Sequence, residues 1–552
     1  LTLSQSPLFL ITPVQPALIM AVDDSGSMDT EILVDGNDGA MWWNSDEKSF
    51  TGLGTNDQGT SDEADPGRLN FNQSGNNNGP WQKYMYVFPN GNSSADGRRQ
   101  RLRDHHGVPP LPQFAYARSP EFNPIYFNPE IEYPPWPSEG TKDFCADPTK
   151  NFCDADRTAA QADPERGSQT WNLTVNKETS EKWWTFTFYD GMTIPSGTRI
   201  KKADNNACSG IPSTWTDISG DIDITEEDCD VAISYYPATF WLKATSPAPA
   251  GFTGIAKTGG KTPDGSAMVG YEITSDNFSN YDEMMQKFAN WFQYYRKRTH
   301  LTRAAMGRSF VDTNFLRLGF MTINNRNNVT MRDMAVDSDR EKYYDWQYEL
   351  AGSGGTTNKQ AVKHIGDQFA NRTGSNAPIL EACQRNFGML VTDGFSNPNN
   401  PGVGNTDGPS TPAGEPAAFG TVLSDSEDNT MADIAYNFYN THLRSGDIAG
   451  GEVPTPSACD QANPPLDLDC NDNPHMNLFA VTLGAKGLIF GRDENATNDP
   501  LSELTSSDWP TSFPKRHPNA VDDIWHATLN SRGGMFSATN PQELVDALTA
   551  VL

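Results

Sequence analysis

Asp23, Ser25 and Ser27 form an Asp-x-Ser-x-Ser run directly after the apolar stretch Ala17-Leu-Ile-Met-Ala-Val22. Asp393 directly follows a second such stretch, Phe387-Gly-Met-Leu-Val-Thr392, and Thr356 lies in a glycine-rich run, Gly352-Ser-Gly-Gly-Thr-Thr357. Two carboxylates and three hydroxyls offer hard oxygen donors with no sulfur or imidazole among them. That set suits an octahedral divalent ion, Mg²⁺ first and Ca²⁺ or Mn²⁺ after it, and leaves a coordination position open. If the carboxylates act through water or through hydroxyl hydrogen bonds, the ion keeps net positive charge, and an Asp or Glu of a partner can complete its shell. Such a centre binds rather than catalyses. The plainer reading of Asp23, Ser25 and Ser27 is a Ser/Asp-rich turn that ends a strand; the placement of Thr356 and Asp393 favours the metal.

These residues converge only if the elements carrying them do. Uninterrupted apolar runs are the mark of strands buried on both faces of a parallel sheet. In an open sheet of that kind, ligand sites form beyond the carboxyl ends of the strands, where the winding direction reverses. Further strands are expected at 316–323, 478–483 and 534–538, and helices at 358–369, 430–443, 521–529 and 541–552. A long amphipathic helix is expected from about Ser279, with Ser279/Asp282 and Asn280/Glu283 as capping boxes and Met284, Phe288, Trp291 and Tyr295 on its apolar face. Arg296-Lys297-Arg298 then reads as basic charge at its carboxyl end. The fold class is α/β, a doubly wound and mainly parallel sheet, with a large, mostly β or irregular insertion after the first strand. The chain divides into 1–28, the first part of the sheet domain; 29–278, the inserted module; and 279–552, the remainder, with long loops at 396–428 and 444–475.

Lys and Arg number 41 against 71 Asp and Glu, a net charge of −30 over 552 residues. That balance repels a phosphate backbone and disfavours nucleic acid as a partner. No apolar run reaches the ~18 residues that span a bilayer. Seven cysteines fall as three local pairs, Cys145 with Cys153, Cys208 with Cys229 and Cys459 with Cys470, plus a single Cys383. Short disulfides in Asp/Asn/Pro-rich loops, and hence an oxidising compartment, fit better than seven free thiols, because no CxxC spacing is present. The acidic run Asp154 to Glu165 has Ala159 where a calcium loop needs glycine, so it reads as a solvated loop. No HExxH or GxSxG motif accompanies the eight histidines, and the chain is expected not to be an enzyme. The aromatics Trp42, Trp43, Trp81, Tyr84, Tyr86, Trp183 and Trp184 fit the core of a small β module better than a recognition surface.

Asp23-Asp24-Ser25-Gly26-Ser27, Gly354-Gly355-Thr356 and Thr392-Asp393-Gly394 resemble the three loops of the metal-ion-dependent adhesion site of von Willebrand factor A domains. Ser6-Pro7-Leu8-Phe9-Leu10, Arg118 to Tyr126, Asn290 to Arg296, Cys383 to Phe387 and Asp522 to Ala527 are similar to the amino-terminal region of PilY/PilC-type tip-associated proteins of type IV pili. The resemblance selects Thr356 over Thr357 as the hydroxyl of the glycine-rich loop. It implies a secreted protein at the bacterial cell surface, at the pilus tip or outer membrane, that supports pilus biogenesis and surface attachment. Its partners would be minor pilins or other pilus components, or a host or surface ligand that presents a carboxylate. The alternative is a mechanosensitive or structural pilus-tip module whose metal loop is vestigial.

Overall fold

The computed structural model describes residues 14–33, 40–41, 43–44, 49–50, 83–89, 105–141, 154–165, 169–181, 184–204, 208–226, 228–262, 265–408, 410–412, 415–461, 463–491, 501, 504–513, 517–538 and 540–551. The stretch 6–10, read above as part of the family resemblance, lies outside the described residues.

Six strands make the main sheet: β1 (Ala17–Val22), β2 (Arg317–Thr322), β3 (Arg332–Asp333), β4 (Asn386–Thr392), β5 (Asn477–Leu483) and β6 (Gly534–Ala538). Their order is β3-β2-β1-β4-β5-β6. All neighbours are parallel except the edge pair β2/β3. All six residues of β1 are buried, as an uninterrupted apolar run between two parallel neighbours demands. The winding reverses between β1 and β4, whose register pairs Val22 with Val391, so the chain just beyond Val22 and the chain just beyond Thr392 leave the sheet side by side.

Seven helices of the described residues matter here: α1 (Tyr281–Tyr294), α2 (Arg298–Ser309), α3 (Asp337–Tyr348), α4 (Asn358–Asn371), α5 (Met431–Asn440), α6 (Asn519–Asn530) and α7 (Pro541–Val551). Ala17, Ile19 and Ala21 of β1 face a core completed by residues of α4, α5 and α6. Leu18, Met20 and Val22 face the opposite core, with residues of α1, α2 and α7. Burying each large apolar side chain in these layers contributes about 1.5–3 kcal/mol. This is an α/β sheet with helices on both faces, as expected.

Two expectations fail at the start of the long helix. Asn280 is the N-cap of α1 but makes no side-chain capping bond, so neither capping box forms there; the box that does form is Thr430 with Asp433, at the start of α5. Arg296-Lys297-Arg298 does not close a helix against solvent. It links α1 to α2, with all three residues buried.

Between β1 and α1 the described elements are short strands, turns and two 3-10 helices, Gly26–Asp29 and Pro112–Arg118. A four-stranded antiparallel sheet joins 186–189, 228–233, 199–202 and 216–217, and a three-stranded one joins 239–243, 267–272 and 257–261. Their apolar residues share one continuous core with α1, α2 and one face of the main sheet. Tyr86 is fully buried in that core and Trp184 packs partly buried against it.

Two of the three expected disulfides are found among the described residues, Cys208–Cys229 and Cys459–Cys470. The third expected bridge, from Cys145 to Cys153, is not among them. Cys145 lies outside the described residues, and Cys153 lies outside them too, one position before they resume at Asp154. Cys383 is free, as its solitary place in the sequence implies.

Candidate metal centre

Four of the expected donors, Asp23, Ser25, Ser27 and Asp393, lie just past the carboxyl ends of β1 and β4. Asp23 N donates to the Val391 carbonyl at 2.8 Å, continuing the β1/β4 pairing by one residue. The carboxylate of Asp23 accepts from Ser25 N at 2.7 Å through Oδ1 and from Thr392 Oγ1 at 2.6 Å through Oδ2. The first bond tightens the Asp-x-Ser turn and the second ties that turn to the β4 end. Ser25 Oγ and Ser27 Oγ share a hydrogen bond of 2.9 Å. Adjacent ligands of an octahedral Mg²⁺ with bonds of about 2.1 Å are separated by roughly 3.0 Å, so the two hydroxyls stand as neighbouring ligands of a small divalent ion would.

The glycine-rich loop is clipped to this turn through its backbone. Ser353 N and Gly354 N donate to the Asp24 carbonyl at 2.7 and 2.9 Å, and Gly26 N donates to the Gly354 carbonyl at 2.9 Å. A Cβ at Gly354 would meet the Asn324 amide at 2.2 Å, so the close approach needs glycine. Thr356 is half-buried, and its carbonyl accepts from Asn397 N at 2.9 Å. The hydroxyl of Thr357 is already engaged, donating to the Ile323 carbonyl at 2.7 Å and accepting from Arg326 at 2.9 Å. Of the two threonines, Thr356 is the one without such a structural commitment among the bonds described. Gly394, after Asp393, takes φ 98° and would press a Cβ to 2.5 Å from Ala485, so the third loop also needs its glycine.

Asp23, Ser25, Ser27 and Asp393 are all buried. Burial, followed by the nearby charge of Asp393, pushes the Asp23 carboxyl up to about 7, against the smaller opposing effect of its bonds to Ser25 and Thr392. Two carboxylates brought together out of water disfavour one another's charge, and a cation between them removes that conflict.

The sequence reading missed the bases around the centre. Arg298 Nη1 donates to Asp393 Oδ2 at 2.8 Å with both side chains at 0% exposure. Lys297 pairs with Asp29 at 2.7 Å, and Arg296 with Glu31 at 2.8 Å. The triplet at the α1/α2 junction thus answers three acids on or near the candidate site's loops, one for one. Glu31 also accepts from the backbone N–H groups of Val87 and Phe88, and Asn123 donates to the Glu31 carbonyl while accepting from Leu33 N. These bonds hold the segment after the Asp-x-Ser-x-Ser turn against the β-rich segment. The bases were visible in the sequence; their pairing was not, because the partners stand far apart in the chain, Glu31 and Arg296 by 265 positions, Asp29 and Lys297 by 268, and Arg298 and Asp393 by 95.

Asp154 to Glu165 forms no common ligand cluster. Asp154 accepts from Asn290, Asp156 caps its own turn at Thr158, and Asp163 pairs with Arg303.

No family model matches the chain. Among curated proteins, the type IV pilus biogenesis factor PilY1 of Pseudomonas aeruginosa strain PAK is 30% identical over 301 residues, which are 48% of this chain and 26% of that protein. PilY1 of strain PAO1 is 30% identical over 308 residues, 49% of this chain and 26% of the relative. PilY1 of strain UCBPP-PA14 is 26% identical over 297 residues, 48% of this chain and 25% of the relative. The chain is therefore similar to PilY1 over about half of its own length, and the match spans about a quarter of the relatives' length. A solved aerotolerance-related membrane protein from Bacteroides fragilis aligns with 46% of this chain and 86% of its own at 9% identity, with a TM-score of 0.21, too loose a superposition to bear on the fold. No helix of the described residues is long and apolar enough to cross a membrane.

Proposed function

We propose that the chain acts in type IV pilus biogenesis and surface attachment, as a von Willebrand A-type domain interrupted by residues 29–278 that grips its partner through a divalent cation. Asp23, Ser25, Ser27, Thr356 and Asp393 would hold the ion, with Mg²⁺ favoured over Ca²⁺ or Mn²⁺. The observation that carries this reading is the 2.9 Å hydroxyl pair of Ser25 and Ser27 beside Asp23, at the point where the sheet reverses; the similarity to PilY1 supplies the biological setting.

When bound, the ion supplies a Lewis-acidic position for an anionic group. The protein's residues set how strong that attraction is. Arg298 already shares the charge of Asp393, and Thr392 and the Ser25 amide share that of Asp23, so little anionic charge is left to quench the cation. A partner carboxylate is the complementary group. Minor pilins, other pilus components, or a host or surface ligand with an exposed Asp or Glu would provide it, with the protein exported to the cell surface at the pilus tip or outer membrane.

A second reading draws on the same arginine. Arg298 provides a permanent cation at Asp393, which suits a metal-free joint in a load-bearing module. Binding of purified minor-pilin complex with Mg²⁺, with EDTA, and with Asp23→Ala separates the two. Metal-dependent binding is expected to drop at least about tenfold in the last two conditions; binding unchanged in both would leave the mechanical reading in its place.

A further inference from the structure

The loop 396–428 begins three residues after Asp393 and carries two acids, Asp407 and Asp425, that meet His526 of α6. One ligand-capable atom of each lies within 4.8 Å of the others, and the three residues are 0%, 7% and 2% exposed. Asn530, one turn further along α6, is also fully buried and donates Nδ2 to Asp407 Oδ2 at 2.7 Å. Among the described residues, neither acid is paired with a lysine or arginine; the ion-pairing group near both is the imidazole, with Nε2 3.9 Å from Asp407 Oδ2 and Nδ1 3.5 Å from Asp425 Oδ2.

Two features of this cluster are incomplete as they stand. Asp407 Oδ1 and Asn530 Oδ1 are buried with no hydrogen-bond partner. One orphan oxygen belongs to the cluster itself, and the other to the amide whose nitrogen holds Asp407. Leaving such acceptors unsatisfied in the interior is unfavourable, because they have lost water and gained no donor. The imidazole adds the second feature. His526 Nε2 lies 2.7 Å from the Leu423 carbonyl, which can only accept, so Nε2 carries the proton and Nδ1 keeps its lone pair. Nδ1 is 3.5 Å from Asp425 Oδ2, two acceptors facing one another. An edge of about 3.4 Å is what a tetrahedral ion with bonds of about 2.0–2.1 Å sets between two of its ligands. Trp509 stacks on the imidazole with ring centroids 3.8 Å apart and planes at 2°, which fixes the ring in that orientation.

We propose that Asp407, Asp425 and His526, with the Asn530 amide oxygen as fourth donor, form a closed structural site for a zinc-class divalent ion that clasps the loop 396–428 to α6. The imidazole selects a borderline metal over Mg²⁺, and the burial excludes the open position a binding or catalytic centre needs. The Nε2–H bond to Leu423 is the outer contact that orients a ligating histidine. The site is independent of the one at Asp23.

The test loads the full chain with Zn²⁺, removes loose metal by desalting, and counts zinc by mass spectrometry. About one zinc per chain is expected in wild type and in Asp23→Ala, and fewer than about one-tenth in His526→Gln and in Asp425→Asn. Zinc is expected to raise the melting temperature of the first two proteins alone. Should a variant fail to fold, Co²⁺ in the wild-type protein reads the geometry directly, with intense tetrahedral visible absorption expected. No retained zinc in wild type, equal zinc in a folded His526→Gln, or weak octahedral Co²⁺ absorption each overturns the proposal.

Discussion

The two clusters of acids on this sheet are built to opposite plans. At the β1/β4 ends, three of the donors are hydroxyls, Thr356 is half-buried, and Asp393 is held by Arg298. Between the loop 396–428 and α6, two acids and an imidazole are sealed from water with no arginine or lysine paired to the acids among the described residues. The same residue type, aspartate, thus does different work according to what compensates it. A compensated acid beside hydroxyls leaves a bound cation unquenched and available to a partner; uncompensated acids beside a histidine consume the cation's charge and make it a rivet.

Breaking the compensation at the first cluster is expected to have the largest effect. Arg298→Ala leaves Asp393 buried and without its arginine, and a lost partner of that kind costs about 3–5 kcal/mol. The urea midpoint should fall accordingly, while zinc retention by the folded fraction is unchanged. An Arg298→Ala protein as stable as wild type would mean that the pair does not organise the loop.

The next test removes support from neither cluster. Cys208→Ala with Cys229→Ala opens a disulfide of sequence separation 21 in the β-rich segment. It should cost about 2–4 kcal/mol, with Mg²⁺-dependent binding and zinc content preserved once the protein is folded. Loss of either metal property in the folded double variant would make the two clusters dependent on that segment's staple.

Acid should separate the clusters more gently. Burial drives the His300 imidazole down to about 3 from 6.5. Burial alone would raise Asp163, but Arg303 and His300 beside it hold its carboxyl well below the usual range. Both groups have folded values below their unfolded ones, so their stabilising contribution is present at neutral pH and is lost as pH falls, starting below about 6.5 for His300. This contact ties α2, which carries Arg298, to the β-rich segment. Between pH 7.5 and pH 5 the wild-type unfolding midpoint should lose ground relative to that of His300→Gln; parallel profiles would remove His300 from the account.

The sheet was legible because its strands are written as apolar runs. Ala17–Val22, Asn386–Thr392 and Asn477–Leu483 are buried nearly throughout, and that condition leaves little room for alternation. α2 was not legible, for a related reason. Its buried residues include Arg298, His300, Thr302 and Arg303, which enter the interior through ion pairs and hydrogen bonds and so erase the 3.6-residue apolar period. The capping boxes expected at Ser279 and Asn280 satisfied a spacing rule, but the helix begins without them.

The candidate site divides the same way. Asp23, Ser25, Ser27 and Asp393 follow strands directly, so strand ends located them. Arg298 and Thr392, which position Asp393 and Asp23, carry no spacing signal. Asp407, Asp425 and His526 lay in a segment read as a long loop and on the helix expected at 521–529, and only the chain's return brings them together.

The most direct measurement is a crystal structure of the full chain soaked in Mn²⁺, with anomalous scattering used to place the ion. An anomalous peak about 2.2 Å from the hydroxyls of Ser25 and Ser27, facing Thr356, with Arg298 still on Asp393, is the predicted result. A map with Mn²⁺ bound elsewhere on the protein and nothing between Ser25, Ser27 and Thr356 would contradict it.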